Sequence, residues 1–497
     1  MLKSSLIEIL KTFDKDELKR FEDFTLSPYF NKKTNITKIF RIINRYAPEF
    51  RDEHLQRKML WEILFPGKDF NYGVMKNLIF DLQKLLTTFM GYEGIRKKDY
   101  LFRLSFLEEL SEKNLDHQFE KNAKIYSDML GRQKINDTFF YEFTKLEGLK
   151  YNNYIIKIAQ PISENQSLVN FEKFLFLDFL RQYFILNINI SLYKQDFKKN
   201  IAESKTIEIN IEALFNNVLK VHLAADDQEI YRNIILMYYY GYKMTFTSDP
   251  EYYFKLKNLP DKYYNMLDMV EQYNIYNLLT GFCVNMSLSG DSSFYQEEFE
   301  LYKVILAKEA YSFYKGGYMN RLTYYNIARA GIKLKEFEWT IDFLNEYKPS
   351  LPESLREQTY LFTYAFVEFG RKDYTKALEL LSGLSHHEVR DKPREKMLYL
   401  MLYYELGYIE QLFTFVDSCR HFAKNDKLLS EQYNQKFLNF VNCLFNISKL
   451  KFDINMSGMD ENISTLKQSV NQKDVSFRHW LLEKIDEIES QTNSEDL

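Results

Sequence analysis

The residues closest to metal chemistry are His387-Glu388-Val389-Arg390-Asp391. A zinc-protease helix needs two imidazoles four residues apart, so that both reach one metal from one helical face, with the intervening Glu as base. Asp391 stands where the second His would be, and Pro393 follows closely, so the segment reads as a loop; His386 beside it could supply a surface ligand, but nothing else converges on it. Cys419 and His421 are two residues apart. On a helix they point to different faces, which argues for a buried structural thiol rather than a thiolate–imidazole pair. The acid pairs Asp226/Asp227 and Glu297/Glu298 read as solvated faces or helix-start charges. No G-x-x-x-x-G-K-[S/T], G-x-S-x-G, C-x-x-C or G-x-G-x-x-G run occurs. The sequence therefore assigns no catalytic, cofactor-binding or metal-binding residue. It is read as a binding protein that needs no cofactor, not as an enzyme.

The elements that would carry any site are helical. Only 16 Gly and 9 Pro occur in 497 residues, under half the usual share, and β-turn-rich folds need both. Lys and Arg total 66 against 70 Asp and Glu, a net charge of −4, which gives no global attraction to nucleic acid or to an anionic membrane. Residues 1–100 are nevertheless net basic and the remainder net acidic. Three distant cysteines, Cys283, Cys419 and Cys443, argue against a disulfide framework and for a reducing compartment. Met1 to Glu8 reaches an acid too early for a signal peptide. The longest strongly apolar run, Ile234 to Tyr240, falls far short of the roughly 18 residues that span a bilayer. The reading is cytoplasmic, with no membrane partner. Tyr (38) and Phe (42) recur at helical core spacing, as packing rather than as a nucleic-acid stacking platform.

Along the chain, Asp14-Lys15-Asp16-Glu17 has capping-box spacing ahead of the stripe Leu18, Phe21, Phe24. Ser27-Pro28 breaks that helix, and further helices are predicted near 36–46, 54–65 and 74–89. Periodic apolar positions continue through 101–110 and 115–129, with Gly131 placed to end the latter. Phe171 to Ile185 is apolar almost all round and is expected to be buried between neighbours. Seams are expected near 93–99 and 245–260. The domain reading is a helical N-terminal domain at 1–95, a helical array at 96–245, a repeat region with a C-terminal capping helix at 246–488, and a disordered acidic tail at 489–497.

Three windows in the second half share a helix–turn–helix frame: Tyr324 to Phe343, Leu361 to Leu381 and Leu398 to Phe415. Their second helices are anchored at Phe337, Tyr374 and Ile409, spacings of 37 and 35 residues. The first window carries Tyr324, Ala328, Phe337, Thr340, Leu344 and Pro352; the second carries Ala365, Tyr374, Ala377 and Leu381; the third keeps Ile409 and Leu412. In that order of large, small, aromatic, small, large and terminating positions, the region resembles a divergent tetratricopeptide-repeat array, most clearly over 320–420. The chain is also similar to repeat proteins of Bacteroidota-type bacteria, a likeness that brings no function with it. The resemblance implies an all-α fold in which a helical N-terminal domain precedes a superhelix of antiparallel helix pairs, with a partner peptide or helix in its groove.

Two other functions fit the sequence. Residues 54–90 are vaguely similar to a helix-turn-helix region of DNA-binding regulators. That reading would place Lys76, Asn77, Gln83 and Lys84 on DNA and Lys32, Lys33 and Arg96 to Lys98 near phosphates. The wing hairpin that should follow is missing, because Asp99 opens another helical pattern. Alternatively the repeats bind copies of their own chain. The partner is thus another protein of open identity, with nucleic acid as the alternative and the oligomeric state open.

Overall fold

The computed structural model describes residues 5–51, 53, 55–157, 166–196, 209–289, 291–384, 392–426, 431–452 and 459–495. Among these residues the chain forms 24 α-helices and no β-strand, and a single isolated bridge joins Ile135 to Leu267. The class is all-α. Two compact units divide the chain: Met1–Gly131 with Lys145–Leu168, and Arg132–Thr144 with Val169–Leu497.

The first unit opens with α1 (Ser5–Leu10), α2 (Lys15–Leu26), α3 (Thr34–Asn44), α4 (Arg57–Leu64) and α5 (Tyr72–Arg96). The capping box at the start of α2 forms in both directions. Asp14 accepts from Glu17 N–H at 2.7 Å, and the Glu17 carboxylate accepts from Asp14 N–H at 3.2 Å. After α2 the chain turns at Ser27–Asn31, where the Thr25 carbonyl is satisfied by Asn31 Nδ2 and by the Thr37 hydroxyl, each at 2.8 Å. One core holds these five helices together, with Phe21 at its centre, 4.7 Å from Phe40 and 5.1 Å from Phe89 between ring centres. Next come α6 (Asp99–Glu112) and α7 (Asp116–Leu130), paired as a hairpin, and then α8 (Phe139–Lys157).

The second unit holds α9 (Gln166–Asp196), α10 (Ile211–His222), α11 (Glu229–Thr247), α12 (Pro250–Lys257), α13 (Asp261–Tyr264), α14 (Met269–Ser289) and α15 (Ser293–Ala307). Three hairpins follow: α16 (Arg321–Lys333) with α17 (Phe337–Tyr347), α18 (Arg356–Gly370) with α19 (Tyr374–Ser382), and α20 (Lys392–Leu406) with α21 (Ile409–Asn425). These are the three windows of the sequence, and Phe337, Tyr374 and Ile409 each open the second helix of their pair. The turns share one geometry. Two residues before each second helix stands a left-handed residue: Lys335 (φ 61°), Lys372 (φ 66°) and Gly407 (φ 71°). The residue after it donates its N–H five residues back, Glu336 to Gly331, Asp373 to Glu368 and Tyr408 to Tyr403, which satisfies carbonyls the ending helix leaves open.

Small residues set the spacing between helices. Ala328, Thr340, Ala365 and Ala377 are buried. A Cβ on Gly370 would lie 3.1 Å from the Phe337 ring and 2.7 Å from Ile332, so the aromatic of one pair fills the space left by the glycine of the next. The first helices stack in series, α16 on α18, α18 on α20, and α20 on α22 (Glu431–Phe452), which carries α24 (Arg478–Glu495) and α23 (Met459–Gln472).

Four expectations differ from the structure. The units do not part at 95 or at 245. The end of α5 leads into α6 within one unit, where Ser111 bonds Asn153 of α8 at 3.0 Å. The stretch 245–260 is a closed hairpin, with Ser248 left-handed (φ 54°) and Asp249 capping α12. Helix α9 is not buried all round: Phe174, Leu177, Leu180 and Phe184 are covered, while Leu175 (46% exposed), Phe179 (37%) and Leu186 (58%) are not. The covered positions include Phe184, which packs on Phe215 of α10 and Tyr239 of α11. Finally, helix continues to Glu495 through most of the expected tail, anchored where Lys467 of α23 pairs with Asp486 at 2.8 Å and Glu489 at 2.6 Å.

Candidate functional site

On α14 the sequence places Asn274, Gly281 and Asn285 at i, i+7 and i+11. At about 100° per residue these fall within roughly 20° of one line along the helix. Asn277 and Leu278 flank that line. Opposite lie Ile185, Ile188 and Asn189 of α9, together with Tyr238, Met244 and Thr245 of α11 and Ser248 just beyond it. These residues enclose a cavity of about 400 Å³ within the second unit.

Three helices are fixed around it by one carboxylate. Glu271, 2% exposed, opens α14 with its N–H on the Asp268 side chain at 2.8 Å. Its Oε1 accepts from Arg181 of α9 at 2.5 Å and its Oε2 from the Tyr238 hydroxyl of α11 at 2.6 Å. Arg181 also donates to the Asp137 carbonyl at 3.1 Å, and its guanidinium lies 5.2 Å from the centre of the Tyr238 ring. Burial alone would lower the Arg181 pKa, but Tyr238 and Glu271 outweigh it and hold it above the usual value. Burial, and then the Glu271 charge, push the Tyr238 phenol well above its usual range. Both groups stay protonated throughout the physiological range. The ion pair and the phenol hydrogen bond therefore make a fixed floor to the cavity.

Gly241 lets α11 approach α14 closely; a Cβ there would meet Leu278 Cδ1 at 3.2 Å. Gly281 is the opposite case, since a Cβ there would have nothing within 4 Å. Residues 132–144 complete the support. Ile135 N–H donates to the Met266 carbonyl at 2.7 Å and the Ile135 carbonyl accepts from Asp268 N–H at 2.9 Å, which pins the start of α14. Asn189, Asn274, Asn277 and Asn285 are all exposed, and none of their side-chain amides hydrogen-bonds the protein among the described residues. Each brings two donors and an acceptor to the cavity. Its chemistry is hydrogen-bonded recognition between apolar walls.

The residues singled out from sequence lie elsewhere. His386, His387, Glu388 and Asp391 fall outside the described residues. Among the described residues no group of three or more His, Cys, Asp or Glu could hold a metal ion. Cys419 is fully buried while His421 is exposed beside Asn425, so the two face apart. Burial pushes the Cys419 and Cys283 thiols up to about 12. Asp226 and Asp227 start a short 3-10 turn ahead of α11. Glu297 is half-buried, hydrogen-bonded by Tyr253 at 3.1 Å and paired with Lys257. Glu298 corrects the expectation of a solvated face: it is fully buried, held by Arg329 at 2.5 Å and Ser287 at 3.0 Å, because α16 packs on α15 over it.

Of the basic residues expected near phosphates, Lys32 and Lys98 are exposed, while Lys33, Arg96 and Lys97 face acids. Lys33 bonds Asp81 at 2.6 Å, Arg96 bonds Glu93 at 3.0 Å, Lys97 lies 3.8 Å from Glu17, and Gln83 bonds Ser5. Lys76, Asn77 and Lys84 are exposed on α5, with the bare ring of Phe80 among them. Among the described residues no helix is long and apolar enough to cross a membrane. Sequence reasoning missed the asparagines and Gly281. Their i, i+7, i+11 spacing was readable, but nothing in it says that α9 and α11 stand opposite.

No family model, curated protein or solved structure matches the chain.

Proposed function

We propose that the protein is an interaction scaffold that binds a segment of another protein within its second helical unit, in the cytoplasm and without a cofactor. The observation that carries this is the open cavity between α9, α11 and α14, whose rim of amides has no partner among the described residues while the carboxylate of its floor is paired with Arg181. A second support is the series of hairpins from α16 to α21, built on one turn geometry and one helix-pair spacing. A divergent tetratricopeptide-like array is the reading of those pairs that fits their small and aromatic positions, and stacked pairs of that kind present extended binding surfaces. Fold alone does not fix function, so the cavity bears the weight.

The test is affinity capture with the full-length chain from nuclease-treated lysate of its native host, beside sedimentation of the purified chain over a concentration series. A protein recovered in fixed proportion, with a monomeric mass for the chain alone, is the expected result. Recovery of nuclease-sensitive material only would instead favour DNA binding through the first unit. A mass that climbs with concentration and no second protein would favour self-assembly.

A further inference from the structure

The occupant of the cavity has a recognisable chemistry. We propose that the cavity between α9, α11 and α14 binds an extended peptide segment chiefly through its main chain, with Asn274 and Asn285 as the hydrogen-bonding residues and Gly281 as the point of closest approach. This rests on the partner-binding reading above and names its ligand class.

A primary amide presents an acceptor and a donor side by side, the pattern a peptide group needs for its N–H and C=O. An extended segment carries such groups unpaired, whereas a helical partner has already satisfied its own and is about 10 Å wide. The spacing fits as well. Asn274 and Asn285 are eleven residues apart on α14, about 16 Å at the helical rise, which an extended chain covers in about five residues. Between them Gly281 removes the side chain that would hold a main chain off the helix, and the space above it is open. Apolar walls at Ile185, Met244 and Leu278 suit the alternate side chains that an extended segment turns inward. A phosphate backbone would find no cation among the described residues that line the cavity: the one charged residue there is Glu271, and Arg181 holds it.

The experiment uses the full-length protein and a library of acetylated, amidated octapeptides, selected by affinity and measured by fluorescence anisotropy. Gly281→Leu places a side chain in open space at an exposed mid-helix position, where leucine is the better helix former. Its fold, followed by circular dichroism and denaturant unfolding, should be at least as stable as that of the parent. Peptide binding should fall by more than about a hundredfold. Asn274→Ala and Asn285→Ala, both at exposed positions, should each weaken binding roughly tenfold, the loss expected for one or two hydrogen bonds. N-methylation of alternate peptide amides should abolish binding to the parent protein. Equal binding by the parent and the Gly281→Leu and Asn274→Ala/Asn285→Ala variants would overturn the site, and the partner-binding reading would then be judged by recovery of a protein partner from lysate alone. Loss in those variants with unchanged affinity for N-methylated peptides would overturn main-chain recognition. No octapeptide bound at millimolar concentration would overturn the inference, while recovery of a protein partner from lysate judges the broader reading separately.

Discussion

At the residue scale, the buried charges are where single changes matter most. Arg181 and Glu271 are 4% and 3% exposed in their side chains and hold each other across 90 residues of sequence. Glu271→Ala would strand a buried guanidinium, and should destabilise the protein by about 3–5 kcal/mol in chemical denaturation, whereas the double change Arg181→Met/Glu271→Leu should recover most of that loss. Lys333 is a case with an opposite sign. Its ammonium stands 4.3 Å from the Tyr295 ring centre, and burial, then the nearby Arg329 charge, bring its pKa down to about 8 against a partial upward pull from Glu298. A lysine whose folded pKa is depressed penalises folding while it is charged in both states. It sheds that penalty between the folded value and about 10.4, the unfolded one. The stability of the natural protein relative to Lys333→Met should therefore rise between about pH 7.5 and 9.5, by on the order of 1 kcal/mol after allowance for solvent screening. A flat or falling difference would refute the depressed value. Neither group could be found from sequence, because Arg181, Glu271 and Lys333 look like any other charged residue on a helical pattern.

At the scale of elements, the sequence was legible where a local rule applies. Asp14 and Glu17 form the box their spacing predicts, and Phe337, Tyr374 and Ile409 open second helices because a 3.6-residue period shifts phase at each turn. It was illegible where the chain uses an unsignalled residue. Gly407 announces a left-handed turn, but Lys335 and Lys372 occupy the same place in the other two hairpins. A Cβ in that conformation costs roughly 1 kcal/mol. Lys335→Gly and Lys372→Gly should each stabilise the protein by about 0.5–1 kcal/mol, and Gly407→Ala should destabilise it by about 1 kcal/mol, read as shifts of the urea midpoint. A destabilising Lys372→Gly would mean that the lysine side chain earns more in contacts than its backbone loses. The bare face of α9 was illegible for a different reason: an apolar helix states that it wants burial, and Leu175, Phe179 and Leu186 do not say on which side the neighbours stand.

At the scale of the whole molecule, the seam expected near 95 and the compact unit that runs on to Gly131 describe different quantities. Among the described residues, the 22 of the first core lie between Leu6 and Phe89, so that core closes within five helices even though α6 and α7 remain packed in the same unit. Those two helices bury Leu104, Leu107, Leu110, Phe119 and Tyr126 in a hairpin of their own. A fragment of residues 1–97 keeps Arg20–Glu93, Arg96–Glu93 and Lys97–Glu17, the pairs that close the end of α5. It should be helical by circular dichroism and unfold in one guanidinium transition, with a stability of roughly 5–10 kcal/mol for its size. The second unit allows no comparable cut at 245, because α11 on one side of that point and α14 on the other share the Glu271 carboxylate through Tyr238. Division there should give fragments that expose apolar surface and bind a hydrophobic dye. The candidate site belongs to this scale: its residues come from α9, α11 and α14, about a hundred positions of chain, and they meet through contacts distant in sequence, Arg181 and Tyr238 on Glu271 and Phe184 on Tyr239. If the 1–97 fragment melts without cooperativity, the first core needs α6 to α8, and the compact unit rather than the core is the folding unit.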